Sequence, residues 1–316
     1  MQKKGEGIMT YEEFKEELLK GLQDFYGKDM DVDICRMNRN NRQSYDGVRI
    51  IPKEVEHRVT IAPVISIEGF YESYDNGSMM MADCVKEICR EREKHETTEE
   101  LLQSAGCLSD WETVKERIYP ILLSTKENEE MLEELAAVPM LDLSVAYVIR
   151  IGVTEEQRGC IKVKKRMLEQ YGIETAQLHE QAMKNLEKDG YEFQDIEAFV
   201  RRMLNMGYDA EESGGENGRN VMDGKMYVLT NAVKTYGAAG ILNKKLIREF
   251  AGERNFFILP SSIHETIFVC ANDLSEKEVF DSMVVEVNEA QVEAEERLSD
   301  HCYFYDGQMG EIRMCA

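Results

Sequence analysis

At 316 residues the chain can form one large domain or two ordinary ones, each with its own hydrophobic core. Hydrophobic residues at 43% and charged residues at 31% exclude wholesale disorder. A formal net charge of −23 argues against nucleic acid, whose phosphates need a cationic surface, and against anionic membranes.

No apolar run reaches the roughly 18–20 residues that cross a bilayer. Met1–Thr10 lacks the apolar core of a secretion signal, so a cytoplasmic location is expected. Met9 followed by Thr10 reads as an alternative translation start, which would make residues 1–8 a disordered leader. The eight cysteines show no CxxC spacing and read as reduced packing thiols rather than a disulfide framework or zinc site. The scattered histidines have no metal-ligand spacing, and no cofactor motif is present, so neither metal nor cofactor is expected.

Thr10-Tyr11-Glu12-Glu13 is a capping box, and the apolar residues Tyr11, Phe14, Leu18, Leu22 and Phe25 predict a helix over 11–26, closed by Gly27. Strands follow at 31–36, 47–51 and 55–61, in a locally basic stretch that includes Arg36, Arg39, Arg42 and Arg49. A short helix is expected at 68–74. Ser78 is expected to cap another over 79–94, with Met80, Cys84, Val85 and Ile88 inward. Thr97–Glu100 and Ser109–Glu112 are further capping boxes, the second leading into Trp111 as a core anchor.

Pro120 marks 118–123 as an edge strand. An acidic helix at 127–136 and a buried strand at 140–151 come next, an order that resembles a right-handed crossover. Helices are predicted at 162–171, 175–188 and 195–204, before a Gly- and Glu-rich linker at 209–222. The linker divides a 9–208 region from a 223–316 region. Near the end, Ser275 is expected to cap a helix over 275–292 with Val279, Met283, Val287 and Val292 inward, and 301–314 reads as a hairpin. The fold class is therefore α+β, with a mixed, largely antiparallel sheet and many peripheral helices, arranged as one body or as two lobes.

Chemically capable side chains are densest at Pro260-Ser261-Ser262-Ile263-His264-Glu265, a turn between the strands at 256–259 and 266–269. Asn231, at the end of the strand over 227–230, is positioned to face the same crevice. On a functional reading, His264 is a general base or ligand, Glu265 orients it or acts alone, and Ser261 or Ser262 is a nucleophile or donor. The alternative makes Pro-Ser-Ser turn chemistry, with His264 satisfying a buried carbonyl and Glu265 capping or pairing with a lysine such as Lys244. Consecutive strand residues point to opposite faces, which weakens a His264–Glu265 dyad. Neither His264-Glu265 nor His179-Glu180 has the second histidine of an HExxH zinc motif. P-loop, nucleophile-elbow, kinase and dinucleotide-loop signatures are likewise missing.

Leu229-Thr230-Asn231, Gly237-Ala238-Ala239, Leu259-Pro260-Ser261-Ser262-x-His264-Glu265 and Leu298-Ser299-Asp300-x-x-Tyr303-x-Tyr305 resemble the signature of an uncharacterised bacterial domain-of-unknown-function family. Val138-Pro139 and Asp142-Leu143-Ser144-Val145 resemble it too, and Ser66–Tyr74 more loosely. The resemblance spans nearly the whole chain from Met9 and implies a bacterial cytoplasmic α+β protein, without an activity or cofactor to carry over. Two functions are weighed. One is a binding or regulatory protein whose acidic helices or crevice engage a protein or small molecule. The other is a hydrolase or transferase using His264 with Glu265, Ser261 or Asn231.

Overall fold

Thr10 and Glu13 form the reciprocal cap that starts α1 (Tyr11–Tyr26) in the computed structural model. The Glu13 N–H donates to Thr10 Oγ1 at 3.3 Å, and the Thr10 N–H donates to Glu13 Oε2 at 2.8 Å. The structure describes residues 9–53, 62–94, 108, 110–152, 158–196, 225–260, 262–271 and 273–315. The expected strand at 55–61, the Thr97–Glu100 box and the 209–222 linker lie outside these residues. Contacts divide the chain into two units, Met1–Leu108 with Ile151–Arg158, and Ser109–Arg150 with Gly159–Ala316.

In the first unit, Phe14, Leu18 and Leu22 of α1 are fully buried in one cluster with residues of β1 (Met30–Asn38), β2 (Ser44–Pro52) and α3 (Met81–Lys94). β1, β2 and β3 (Val64–Ser66) form an antiparallel sheet, and α2 (Glu68–Asp75) follows β3. The local positive charge meets acids of the same unit: Arg49 forks onto Asp33 at 2.6 and 3.0 Å, and Arg36 lies 3.7 Å from Asp46. Two expectations change at α3. Met80 is 71% exposed rather than inward, because the helix begins after it and the Met80 N–H reaches back to Asp83 Oδ2. Ser78 is held by the Asn76 side chain and does not cap.

The second unit opens with α4 (Trp111–Val114), whose cap is Asp110, accepting from the Thr113 N–H at 3.1 Å. Half-buried Trp111 packs near Tyr171, with ring centroids 6.1 Å apart. β4 (Ile118–Ser124), with Pro120, is an outer strand of a sheet with β6 (Leu143–Gly152), β5 (Ala137–Met140) and β7 (Arg158–Lys162). The crossover is corrected here: β4 and β6 run antiparallel, from Ile118 opposite Ile149 to Ser124 opposite Leu143. Between them, α5 (Glu129–Glu134) has only six residues, too short for a crossover of about a dozen, and the β5–β6 hairpin turns the chain back instead. α6 (Lys165–Tyr171) and α7 (Thr175–Leu186) follow.

A six-stranded antiparallel sheet completes this unit. It contains β8 (Glu192–Asp195), β9 (Met226–Thr230), β10 (Asn255–Leu259), β11 (Thr266–Ala271), β12 (Tyr303–Asp306) and β13 (Glu311–Met314), in the order β13-β12-β10-β11-β9-β8. Asp195, expected to begin a helix, ends β8 by pairing with Tyr227; residues 197–204 lie outside the described ones. α8 (Lys244–Ala251) lies between β9 and β10 in the chain, and α9 (Lys277–Gln291) between β11 and β12. The inward row of α9 is Phe280, Val284 and Asn288, while Val279 is 62% exposed and Met283 37%. The expected row is thus displaced by one residue. Phe280 packs on Phe257 with centroids 4.7 Å apart, and Asn288 Nδ2 donates to the Ser299 carbonyl at 2.9 Å and Asp300 Oδ1 at 3.0 Å. An apolar count passes over this inward asparagine. The cap also differs: Ser275 is bound to Asp273, and Glu276 precedes the helix without a side-chain cap.

Together these elements make an α+β fold of antiparallel sheets with surrounding helices, in which no described helix is long and apolar enough to cross a membrane. All seven described cysteines are free; Cys302 and Cys315 face each other across β12 and β13 with Sγ atoms 3.6 Å apart.

One carboxylate ties the two sheets of this unit together. Asp142, in the β5–β6 turn, accepts from Tyr303 Oη at 2.6 Å and from Ser299 Oγ at 2.6 Å. Asp142→Ala removes two charge-assisted acceptors and leaves the fully buried Tyr303 hydroxyl without its carboxylate partner. Urea denaturation of this variant is expected to show a loss of about 2–4 kcal/mol, with a smaller loss for Asp142→Asn.

Candidate functional site

β9 delivers Thr230 and Asn231 to the end of the sheet where the β10–β11 turn also lies. Thr230 Oγ1 donates to the His264 carbonyl at 2.9 Å. The 3₁₀ segment Gly237–Leu242 closes over the same turn, with the Ala238 N–H donating to the Ile263 carbonyl at 3.2 Å. On its other side the Ile263 N–H donates to the Glu296 carbonyl at 2.8 Å. Gly237 permits this close approach: a Cβ there would stand 2.2 Å from the His264 carbonyl oxygen and 2.4 Å from Thr230 Oγ1.

His264 is half-buried, and both of its ring nitrogens are engaged. Nε2 lies 3.1 Å from Glu296 Oε1, and Nδ1 accepts from the Tyr236 N–H at 3.4 Å. With that assignment the neutral ring carries its proton on Nε2, toward Glu296. Tyr236 stands in the left-handed region at φ 53°, a conformation rare for a side chain of its size. There its N–H meets His264 while its hydroxyl meets the Cys160 thiol.

The expected residues therefore take separate places. Asn231 closes its own loop: Nδ2 donates to the Thr235 carbonyl at 2.9 Å, and Oδ1 accepts from the Thr235 N–H at 3.2 Å. Ser262 Oγ accepts from the His264 N–H at 2.9 Å, an ST-turn, and also bonds the Glu265 side chain. Glu265 neither orients His264 nor pairs with Lys244. Ser261 lies outside the described residues. The carboxylate that meets His264 is Glu296, hidden in the sequence within an acidic run that reads as a solvated helix face. Its one signal is proximity to Leu298-Ser299-Asp300, just as Tyr236 directly precedes Gly237-Ala238-Ala239. Cys160 and Lys162 on β7 carry no comparable signal.

Burial dominates the electrostatics. It pushes the Glu265 carboxyl pKa up, against the pull of Ser262 and His264, and pushes the Lys162 ammonium down despite Cys160 and Glu295 nearby. Cys160 has an exposed surface, yet the surrounding protein raises its thiol pKa, with Tyr236, Lys162 and Arg150 opposing, so the thiolate is disfavoured at neutral pH. Beside this group, Arg150 forms a two-pronged pair with Asp189, one contact being 2.6 Å, and its guanidinium sits 3.5 Å from the Tyr119 ring centroid. Among the described residues no group of His, Cys, Asp and Glu is arranged to hold a metal ion.

Because the turn, the 3₁₀ segment and β9 meet at Gly237, Gly237→Ala forces them apart. The variant is expected to lose at least about 2 kcal/mol in chemical denaturation, far more than a Gly-to-Ala change at an open position.

No curated protein and no solved structure matches the chain. A family described as "Family of unknown function (DUF5688)" matches residues 11–307, a span that includes the Thr230–Gly237–His264 junction, the Asp142 clamp and Glu296. The chain belongs to this family of unknown function.

Proposed function

We propose that the chain is a soluble cytoplasmic protein that binds a partner or ligand, in a regulatory or carrier role, and does not catalyse a reaction at the 260–265 turn. The observation that carries this reading is the engagement of both His264 ring nitrogens, by Glu296 and by the Tyr236 N–H. A general base needs a lone pair directed at substrate, and here that lone pair faces a backbone donor. Asn231 and Ser262 support the same reading, since each completes the loop that holds it. The exposed Val279 and Met283 on α9 add an apolar surface of the kind a partner uses.

His264→Ala is expected to lower the stability of the fold by about 1–3 kcal/mol by thermal or urea unfolding, while leaving ligand binding elsewhere intact. Native mass spectrometry of the purified chain is expected to show a retained small molecule or second subunit. A His264→Gln variant that melts like the parent but loses a measurable turnover would overturn the reading.

One observation favours acid–base chemistry as a second reading: beside the His264–Glu296 pair burial raises Glu265, and near Cys160 and Glu295 it lowers Lys162. A raised carboxyl stays protonated to higher pH and can act as an acid. Its mark is a turnover that falls as pH rises above the usual carboxylate range and that Glu265→Gln abolishes.

A further inference from the structure

α7, the β5–β6 turn, the 3₁₀ segment with the start of α8, and the β12–β13 hairpin surround a crevice of about 300 Å³. That volume is at the small end of ligand sites. Its wall is mainly apolar, formed by Met140, Met183, Ile241, Leu242, Ile247 and Ile312. His179 also lines it; Nδ1 is bonded to Tyr147 Oη at 2.8 Å, and burial pushes the imidazole pKa down, so this part of the wall is uncharged at neutral pH. Tyr305 contributes to the same wall, is only 2% exposed, and has a buried hydroxyl with no hydrogen-bond partner.

Two opposite charges lie among the lining residues. Lys244 and Glu311 are both exposed, and neither forms an ion pair with a described residue. Lys244 is also the first residue of α8, where Asn243 Oδ1 accepts from the Leu246 N–H at 3.1 Å and the helix start favours a carboxylate. A ligand with one charge would answer only one of these residues and be opposed by the other.

We propose that this crevice binds a small zwitterion with an apolar side chain, of the size and charge pattern of an apolar α-amino acid. Its carboxylate meets Lys244 and the start of α8, its ammonium meets Glu311, and its side chain lies against Met183 and Leu242. The inference rests on the binding reading above and names the ligand class for it.

The test is calorimetric titration of the full chain with L-leucine, L-methionine and L-phenylalanine, alongside hexanoate and hexylamine as single-charge probes. At least one amino acid is expected to saturate with a Kd on the order of 0.1 mM, and both single-charge probes to bind at least about tenfold more weakly. Lys244→Ala and Glu311→Ala, both at exposed positions, are each expected to weaken amino-acid binding at least about threefold with unchanged melting. Met183→Trp, which fills the crevice, is expected to abolish it.

No saturable binding of any of the three amino acids, or equal binding of hexanoate, overturns the proposal; so does binding that survives Met183→Trp in a folded variant. If native mass spectrometry then reveals a different retained molecule, the binding reading stands while this assignment falls. If it reveals none and no amino acid binds, both fall.

Discussion

The backbone approach at Gly237 is the constraint on which the arrangement around the turn depends. The end of β9 and the 3₁₀ segment that soon follows it meet there with the turn before β11, which is farther along the chain. They come so close that the Thr230 hydroxyl and the His264 carbonyl occupy the space a methyl group would need. With those backbones in contact, the strained Tyr236 directs its N–H at His264, and the turn is sewn to the segment carrying Glu296. The hydrogen bonds around His264 follow from this junction.

This arrangement explains why a turn rich in Ser, His and Glu need not be a reaction centre. Such residues satisfy backbone groups that an irregular segment leaves without sheet or helix partners. The Ser262 hydroxyl, the Asn231 amide and the His264 ring each meet one of these needs. The Asp142 clamp does similar work between sheets, joining two stretches of the family signature, Asp142-Leu143 and Ser299–Tyr303, that are far apart in the chain. Signature residues in this protein are, at both junctions, parts of the framework.

Much of the fold was legible from local pattern. The Thr10–Glu13 box, the strands flanking Pro260–Glu265 and the terminal hairpin all depend on near neighbours, and they stand where spacing puts them. What failed needed distant information. The direction of β6 relative to β4 was decided by the β5 hairpin, and the face of α9 by an asparagine bonded to Ser299 and Asp300. At the site, His264 was legible as a chemically capable residue, but its partners were not. Glu296 comes from an acidic run after α9 and Tyr236 from an αL turn, and neither contact follows from a period of two or 3.6.

The hairpin that ends the described chain has a consequence for how copies of this protein coexist. Among the described residues β13 is the outermost strand of its sheet on that side, and such a strand offers unpaired backbone groups to any other strand. Along it, exposed Glu311 and Arg313 alternate with the more sheltered Ile312 and Met314, and Arg313 lies 3.7 Å from Asp306 on β12. A neighbouring molecule laying its own strand there would have to desolvate both charges. A short, charged border of this kind disfavours edge-to-edge pairing between copies of a sheet with a strongly apolar interior.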